Sequence, residues 1–236
     1  MIERGTKLQI TSEPAIAYST CYRLPFLSLF HADCMEIMKQ YPDKYFDLAI
    51  VDPPYGINRM AQIKTANTKA NYLQHAAKDW DNSAPQPNYF DELQRVSKNQ
   101  IIWGANHFID SMPFGCNSPC WIIWDKIQDF SGASFEMAWT SFKSPAKAFR
   151  MARCEAYVGI EKIHPTQKPV ALYNWLLTNY AKKGQRILDT HLGSGSSAIA
   201  AHYFGVDFVG CELDKDYFEA AKARFDMATK QLAMSI

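Results

Sequence analysis

RILDTHLGSGSSAIAAHYFGVDFVGCELDKDYFEAAKARF, residues 186–225, decides the fold class. Its hydrophobic pattern reads as strand, glycine-rich turn, helix, strand, acidic turn and helix: one βαβ unit with the helix that follows it. Upstream, VALYNWLLTNYA (170–181) reads as an apolar helix, with Pro169 able to sit in its first turn. FEMAWTSF (135–142), CWIIWDK (120–126) and QIIWGAN (100–106) read as strands separated by Pro and Gly. FDLAIVDPPYG (46–56) is a buried strand, Leu48 to Val51, running straight into a Pro-Pro turn. FLSLFHAD (26–33) is a strand ending in an acid, followed by the short helix CMEIMKQY. Residues 57–88 are polar and lack a clean period, so they are expected to form a long loop, and a loop of that length in a compact domain usually serves function.

The composition suits one sizeable α/β domain: 236 residues, 47% of them apolar, with 25 Lys plus Arg against 24 Asp plus Glu. It excludes a disordered chain and a disulfide miniprotein. The longest apolar stretches, such as Leu24 to Phe30, fall far short of the roughly 20 residues that span a bilayer. The first twenty residues have no continuous apolar core and no clear cleavage site, so no signal peptide is expected. The six cysteines (21, 34, 116, 120, 154 and 211) then read as reduced thiols in a cytoplasm. Cys116 and Cys120 are the only close pair, with no second pair or His cluster at ligand spacing, and no metal centre is expected.

The glycine-rich turn has several owners. Gly193, Gly195 and Ala198 fit the G-x-G-x-x-G/A pattern after a strand, and Glu212 closes the next strand, so a dinucleotide site is a rival reading. A P-loop is not, because no Lys follows the second Gly. Asp189, at the tip of the first strand, would repel a pyrophosphate but suits a cofactor bearing a positive amine or sulfonium. S-adenosylmethionine carries both charges, and its ribose diol suits Glu212.

Asp52-Pro53-Pro54-Tyr55 forms the second constellation. Read blandly, it is a strand followed by a rigid turn. Read chemically, it answers a problem of nucleophilicity: the exocyclic amine of a base has its lone pair delocalised into the ring. Two acceptors on its N–H groups, the Asp52 carboxylate and the Pro53 carbonyl, favour a pyramidal nitrogen with its lone pair aimed at a methyl sulfonium. Pro54 stiffens the turn, and Tyr55 offers an aromatic face to a base swung out of a duplex, with stacking worth roughly 1–3 kcal/mol.

With DPPY at 52–55, HPTQKP at 164–169 and DTHLGSGSSAIAA at 189–201, in that order, the chain resembles the circularly permuted β group of DNA amino-methyltransferases over nearly its whole length. The resemblance implies that Asp189, Gly193, Ser194 and Gly195 border the methionine part of S-adenosylmethionine. It implies that Glu212 takes the ribose hydroxyls, Asp33 the cofactor's adenine and Lys168 its carboxylate. Asp33 also reads as the N-cap of the helix after it. His191 stands where the family often has Phe, so it is expected to pack on the cofactor rather than titrate. Asp52, Pro53, Pro54 and Tyr55 would be the catalytic group, and Asp at the first position goes with adenine N6 more often than with cytosine N4. Cytosine N4 methylation and an inactive DNA-binding regulator on the same scaffold stay open as alternatives. Cys120 superficially matches a cytosine-C5 nucleophile but reads more simply as core.

The permutation implies a single methyltransferase domain over residues 1–236, a seven-stranded, mainly parallel Rossmann-like sheet with helices on both faces. Catalytic and cofactor turns would meet at the carboxyl ends of adjacent strands. Dimerisation follows only by analogy with the family.

The near-neutral total hides unlike faces. Arg59, Lys64, Lys69 and Lys78 lie in a stretch without acids, as do Lys143, Lys147, Arg150 and Arg153, whereas Asp207 to Asp226 holds six acids and three bases. The two basic stretches, the 57–88 loop and a short 140–163 recognition segment, are expected to flank the cleft and meet the phosphates of double-stranded DNA.

Overall fold

The computed structural model describes residues 21–57, 81, 83–113, 117–127, 133–152, 154–160 and 162–233. The expected βαβ unit is β8 (Arg186–Asp189), α4 (Ser196–Phe204), β9 (Asp207–Glu212) and α5 (Lys215–Ala233). Ahead of it in the chain stand β1 (Cys21–Leu24), β2 (Leu27–His31), α1 (Cys34–Met38), β3 (Phe46–Val51), α2 (Pro87–Val96), β4 (Ser97–Trp103), β5 (Ile122–Asp125), β6 (Phe135–Thr140), β7 (Lys147–Arg150) and α3 (Val170–Tyr180). Short 3-10 turns lie at Ala105–His107, Ile109–Ser111 and Glu155–Tyr157.

These strands form one sheet of nine, in the order β1-β2-β9-β8-β3-β4-β6-β5-β7. The expected seven strands are all present, and two more are added, one at each edge. β1 pairs antiparallel with β2, and β7 pairs parallel with β5. Each has four residues, mostly exposed or half-buried, so neither carries the apolar run that marks a central strand. The 140–163 segment, expected as a recognition insert, thus contributes its middle to the sheet. Helix α2 replaces the end of the expected 57–88 loop: Pro87 opens it at the first helical position, where its missing N–H costs nothing. Pro169 stands at the N-cap of α3, just before the first turn.

Alternation along β3 explains why helices cover both faces. Leu48 and Ile50 pack with Ile101, Trp103 and the apolar faces of α3, α4 and α5. Ala49 and Val51 point the other way, into a second core with Ile37, Met38, Phe90 and Leu93 of α1 and α2. The C-terminal strands β8 and β9 lie between β2 and β3, so turns far apart in sequence are neighbours in space.

Strand direction then fixes which ends meet. β2, β9, β8, β3 and β4 pair in parallel, and β5 runs the same way because both it and β4 are antiparallel to β6. The carboxyl ends of these strands open on one side of the sheet, and β6, running backwards, brings its first residues there. Among the described residues, no helix is long and apolar enough to cross a membrane.

Candidate active site

On that side lies a cleft of about 810 Å³, lined among others by Asp33, Asp52, Pro53, Pro54, Tyr55, Asp81, His107, Lys126, Glu136, Lys168, His191, Gly193, Ser194 and Glu212. Its size is that of a site for a small organic ligand.

The turn after β3 is held from three directions. Asp81 Oδ1 accepts the backbone N–H groups of Tyr55 (2.9 Å) and Gly56 (3.1 Å), so a buried carboxylate fixes the turn's exit. The Tyr55 hydroxyl donates to Asp52 Oδ1 at 2.8 Å, and Lys168 Nζ lies 2.5 Å from Asp52 Oδ2. The Tyr55 ring rests against Gly104, where an added Cβ would come within 2.1 Å of it. It also stacks with His107, with centroids 5.1 Å apart.

Lys168 is 3% exposed. Its ammonium also donates to Tyr55 OH at 3.2 Å and to Glu136 Oε2 at 3.1 Å, so its three protons face three acceptors. Glu136 in turn meets Lys126 at 2.7 Å. Burial alone would raise the Glu136 carboxyl, but the two lysines hold it at about 2. Burial pushes the Asp52 carboxyl above its ordinary value, with Lys168 opposing the shift. Burial would lower Lys168, but Asp52 and Glu136 raise it and keep the ammonium charged. The ammonium expected to meet a cofactor's carboxylate is therefore spent on the protein's own.

The turn between β8 and α4 is tied to the turn after β9. Glu212 Oε2 accepts the Gly193 N–H at 2.8 Å, and its Oε1 accepts that of Asp214 at 3.0 Å. Gly195 caps α4 in the left-handed conformation, φ +72°, with Ala221 Cβ 3.2 Å from where its own Cβ would stand; a side chain there would be both strained and crowded. Arg224 donates to the Ser194 carbonyl at 2.7 Å. Asp189 lies behind this turn rather than on the cleft: it is 1% exposed, and its two oxygens accept the Ser197 hydroxyl and the His191 N–H. Burial outweighs those bonds and raises its carboxyl to about 7. His191 lines the cleft edge-on to Tyr89, and burial lowers its pKa to about 4, so it is neutral at pH 7. Asp33 caps α1, its Oδ1 accepting the Met35 N–H at 2.7 Å, and it also borders the cleft.

The basic residues distribute differently from the expectation. Arg59, Lys64, Lys69, Lys78 and Arg153 lie outside the described residues. Lys143 and Lys147 do not flank the cleft. The turn from β6 to β7 is at the opposite end of the sheet, where Lys147 meets Asn179 at 2.9 Å. Arg150, at the far end of β7 beside Asp125, reaches the cleft side. Cys120 precedes β5, also at the opposite end, buried and in contact with Ser144 and Tyr180; it cannot serve as a nucleophile in this cleft. No group of His, Cys, Asp and Glu that could hold a metal is found among the described residues.

Glu136, Lys126, Asp81 and Gln167 are site residues that sequence reasoning missed. Gln167 borders the cleft with its Oε1 on the Ile163 N–H, and its buried Nε2 has no partner among the described residues. One signal was available for Glu136: a lone acid in the otherwise apolar strand FEMAW calls for a buried partner.

Residues 122–223 match a family described as DNA methylase. The chain is similar to the type II methyltransferase M2.MboI of Moraxella bovis, 23% identical over 248 residues covering 87% of this chain and 89% of that one. Among solved structures, the M1.HpyAVI–SAM complex shares 17% identity and superposes with a TM-score of 0.57, over 85% of this chain and 99% of its own. The cytosine-N4-specific PvuII DNA methyltransferase shares 12% identity with a TM-score of 0.56, over 86% of this chain and 90% of its own. With these solved structures the chain shares the fold, and the family match and the curated relatives support a DNA methyltransferase.

Proposed function

We propose that the protein transfers a methyl group from S-adenosylmethionine to the exocyclic N6 amine of an adenine flipped out of DNA. The observation that carries this reading is the meeting of two turns in one cleft: Asp52-Pro53-Pro54-Tyr55 after β3, and His191 to Ser194 after the neighbouring β8. The chain order of these turns, catalytic first, matches the circularly permuted group of amino-methyltransferases.

The residues fit the cofactor. Glu212 faces the cleft at the end of β9, where a carboxylate suits a ribose diol. Gln167 Nε2 is a buried donor with no acceptor among the described residues, and a carboxylate such as the cofactor's would satisfy it. Asp33 borders the same end. When bound, S-adenosylmethionine supplies an electrophilic methyl group on a sulfonium.

The protein's own part is to make the amine nucleophilic. Asp52 keeps lone pairs beyond those taken by Tyr55 and Lys168, since a carboxylate offers about four acceptor sites. One of these and the Pro53 carbonyl take the two N–H groups of the amine, which localises its lone pair toward the cofactor. The stacked Tyr55 and His107 give the extruded base an aromatic platform. Neutral His191 packs beside the cofactor without adding charge. After transfer the nitrogen sheds its extra proton, and no covalent enzyme intermediate is required. Arg150 and the basic residues at 59, 64, 69 and 78 meet the phosphates.

The test is to incubate the protein with labelled cofactor and duplex DNA and to identify the product nucleoside by mass spectrometry, with Asp52→Ala as the blank. N6-methyladenine is expected. N4-methylcytosine would overturn the choice of base, and labelled RNA or protein without labelled DNA would overturn the class.

A further inference from the structure

Four side chains of alternating sign cross the cleft: Lys126, Glu136, Lys168 and Asp52, spaced 2.7, 3.1 and 2.5 Å between charged atoms. Only Asp52 belongs to the catalytic turn, and the proposed methyl transfer makes no direct use of Glu136 or Lys126. Yet Lys168, at its centre, is walled off from water, while the side chains of Lys126, Asp52 and Glu136 keep 14, 16 and 25% of their surface exposed. Lys168 Nζ lies 5.2 Å from the Trp103 ring centroid and 5.7 Å from that of Tyr55, and Lys126 Nζ lies 5.3 Å from that of Trp124. Charges held among rings interact more strongly than charges in water.

Glu136 is there because β6 runs backwards. Its second residue stands opposite Trp124, beside the carboxyl end of β5, while Lys168 arrives from the segment leading into α3. A lysine side chain is flexible, and without Glu136 the one carboxylate left to its ammonium would be Asp52. That would drain acceptor strength from the carboxylate meant to hold an amine.

We propose that Glu136 is a positioning residue for Asp52: it shares the Lys168 ammonium, aims it, and leaves the Asp52 carboxylate a strong acceptor, while Lys126 anchors Glu136. The inference deepens the proposed function and rests on it.

The experiment uses Glu136→Gln in the full chain, which keeps shape and hydrogen-bonding capacity but removes the charge. Expected is a fall in kcat of about tenfold or more, with KM for DNA and cofactor near wild type. In Lys168→Met, adding Glu136→Gln should cost little more, since the two act as a unit. A carbon-13 titration of the Asp52 carboxyl should move to lower pH in Glu136→Gln, because Lys168 then acts on Asp52 alone. Wild-type kcat, a loss confined to KM, additive losses in the double variant, or an unmoved Asp52 titration would each overturn the proposal. Should Glu136→Gln fail to fold, Lys126→Gln touches Glu136 but neither Lys168 nor Asp52; it should lower kcat in the same direction by less, and wild-type kcat there would count against the proposal. If the wild-type protein transfers no methyl group to DNA, the proposed function falls, while the Asp52 titration still decides the role of Glu136.

Discussion

Lys168 Nζ sits 2.5 Å from Asp52 Oδ2, and it is the lysine, not the aspartate, that is the more completely buried of the two. Removing one partner of such a pair leaves a desolvated charge alone, at a cost of about 3–5 kcal/mol. Lys168→Met is therefore expected to lower stability by that order in guanidinium unfolding, with part recovered when Asp52→Asn is added. Cofactor affinity, measured by calorimetry, should stay near wild type while the rate of methyl transfer falls sharply but stays measurable. A selective loss of cofactor affinity would instead show that Lys168 serves the cofactor's carboxylate.

Gly104 makes the packing of Tyr55 possible. Its φ is +70°, and a Cβ would fall 2.1–2.5 Å from three atoms of the Tyr55 ring. Gly104→Ala should push the ring off its place between Asp52 and His107, at roughly 1–3 kcal/mol for the strained backbone. Methyl transfer is expected to fall far more than the melting temperature, and retained full activity would show that Tyr55 can move freely.

Two buried groups give stability opposing slopes in pH. Asp189 has a folded pKa of about 7 against 3.8 ordinarily, so its contribution is fully present below 3.8 and is lost as pH rises through 7. His191 has about 4 against 6.5, so its contribution is present above 6.5 and is lost as pH falls through 4. Each is on the order of 3–4 kcal/mol, and in the wild type they largely offset. Asp189→Asn should unmask stability that rises from pH 4 to 6.5, and His191→Phe stability that falls from pH 4 to 7. Denaturant unfolding at pH 4.5, 6 and 8 would show the crossing, and parallel slopes in both variants would refute it.

Placement on the sheet separates the basic residues. Lys143→Ala with Lys147→Ala should leave DNA affinity and its salt dependence unchanged, because the β6–β7 turn faces away from the cleft. Arg150→Ala should weaken binding and reduce the slope of log K against log salt by about 1. A fluorescence-anisotropy titration at several salt concentrations reads both, and a weakened lysine variant would place phosphate at the other end of the sheet.

What was legible in the sequence was local. Asp52 to Tyr55, Gly193 to Gly195 and Glu212 each follow or close an apolar strand, where the residues themselves declare strand and turn. β1 and β7 escaped because edge strands are short and carry no apolar run. The placement of Lys143 and Lys147 depended on the direction of β7, which no local pattern states. Glu136 and Asp81 escaped because they meet distant partners, Lys168 32 residues from Glu136, and Tyr55 and Gly56 26 and 25 residues from Asp81, brought close by an antiparallel strand and by the return of the chain to the Asp52–Tyr55 turn. Lys168 was read onto the cofactor's carboxylate and in the structure meets Asp52 and Glu136, because distance along the chain cannot say which of several carboxylates an ammonium will choose.

The grip of Asp81 on the amides of Tyr55 and Gly56 has an evolutionary corollary. The chain leaves the Asp52–Tyr55 turn at Ile57 and is back upon it at Asp81, so that carboxylate pins together the two ends of the intervening stretch. The entropic cost of closing such an excursion grows only as the logarithm of its length, about 0.6 kcal/mol per doubling. Insertions, deletions or wholesale exchange of that stretch can thus be sampled with the chemistry left standing, which gives selection, or an engineer, a cassette in which to rewrite what the protein contacts.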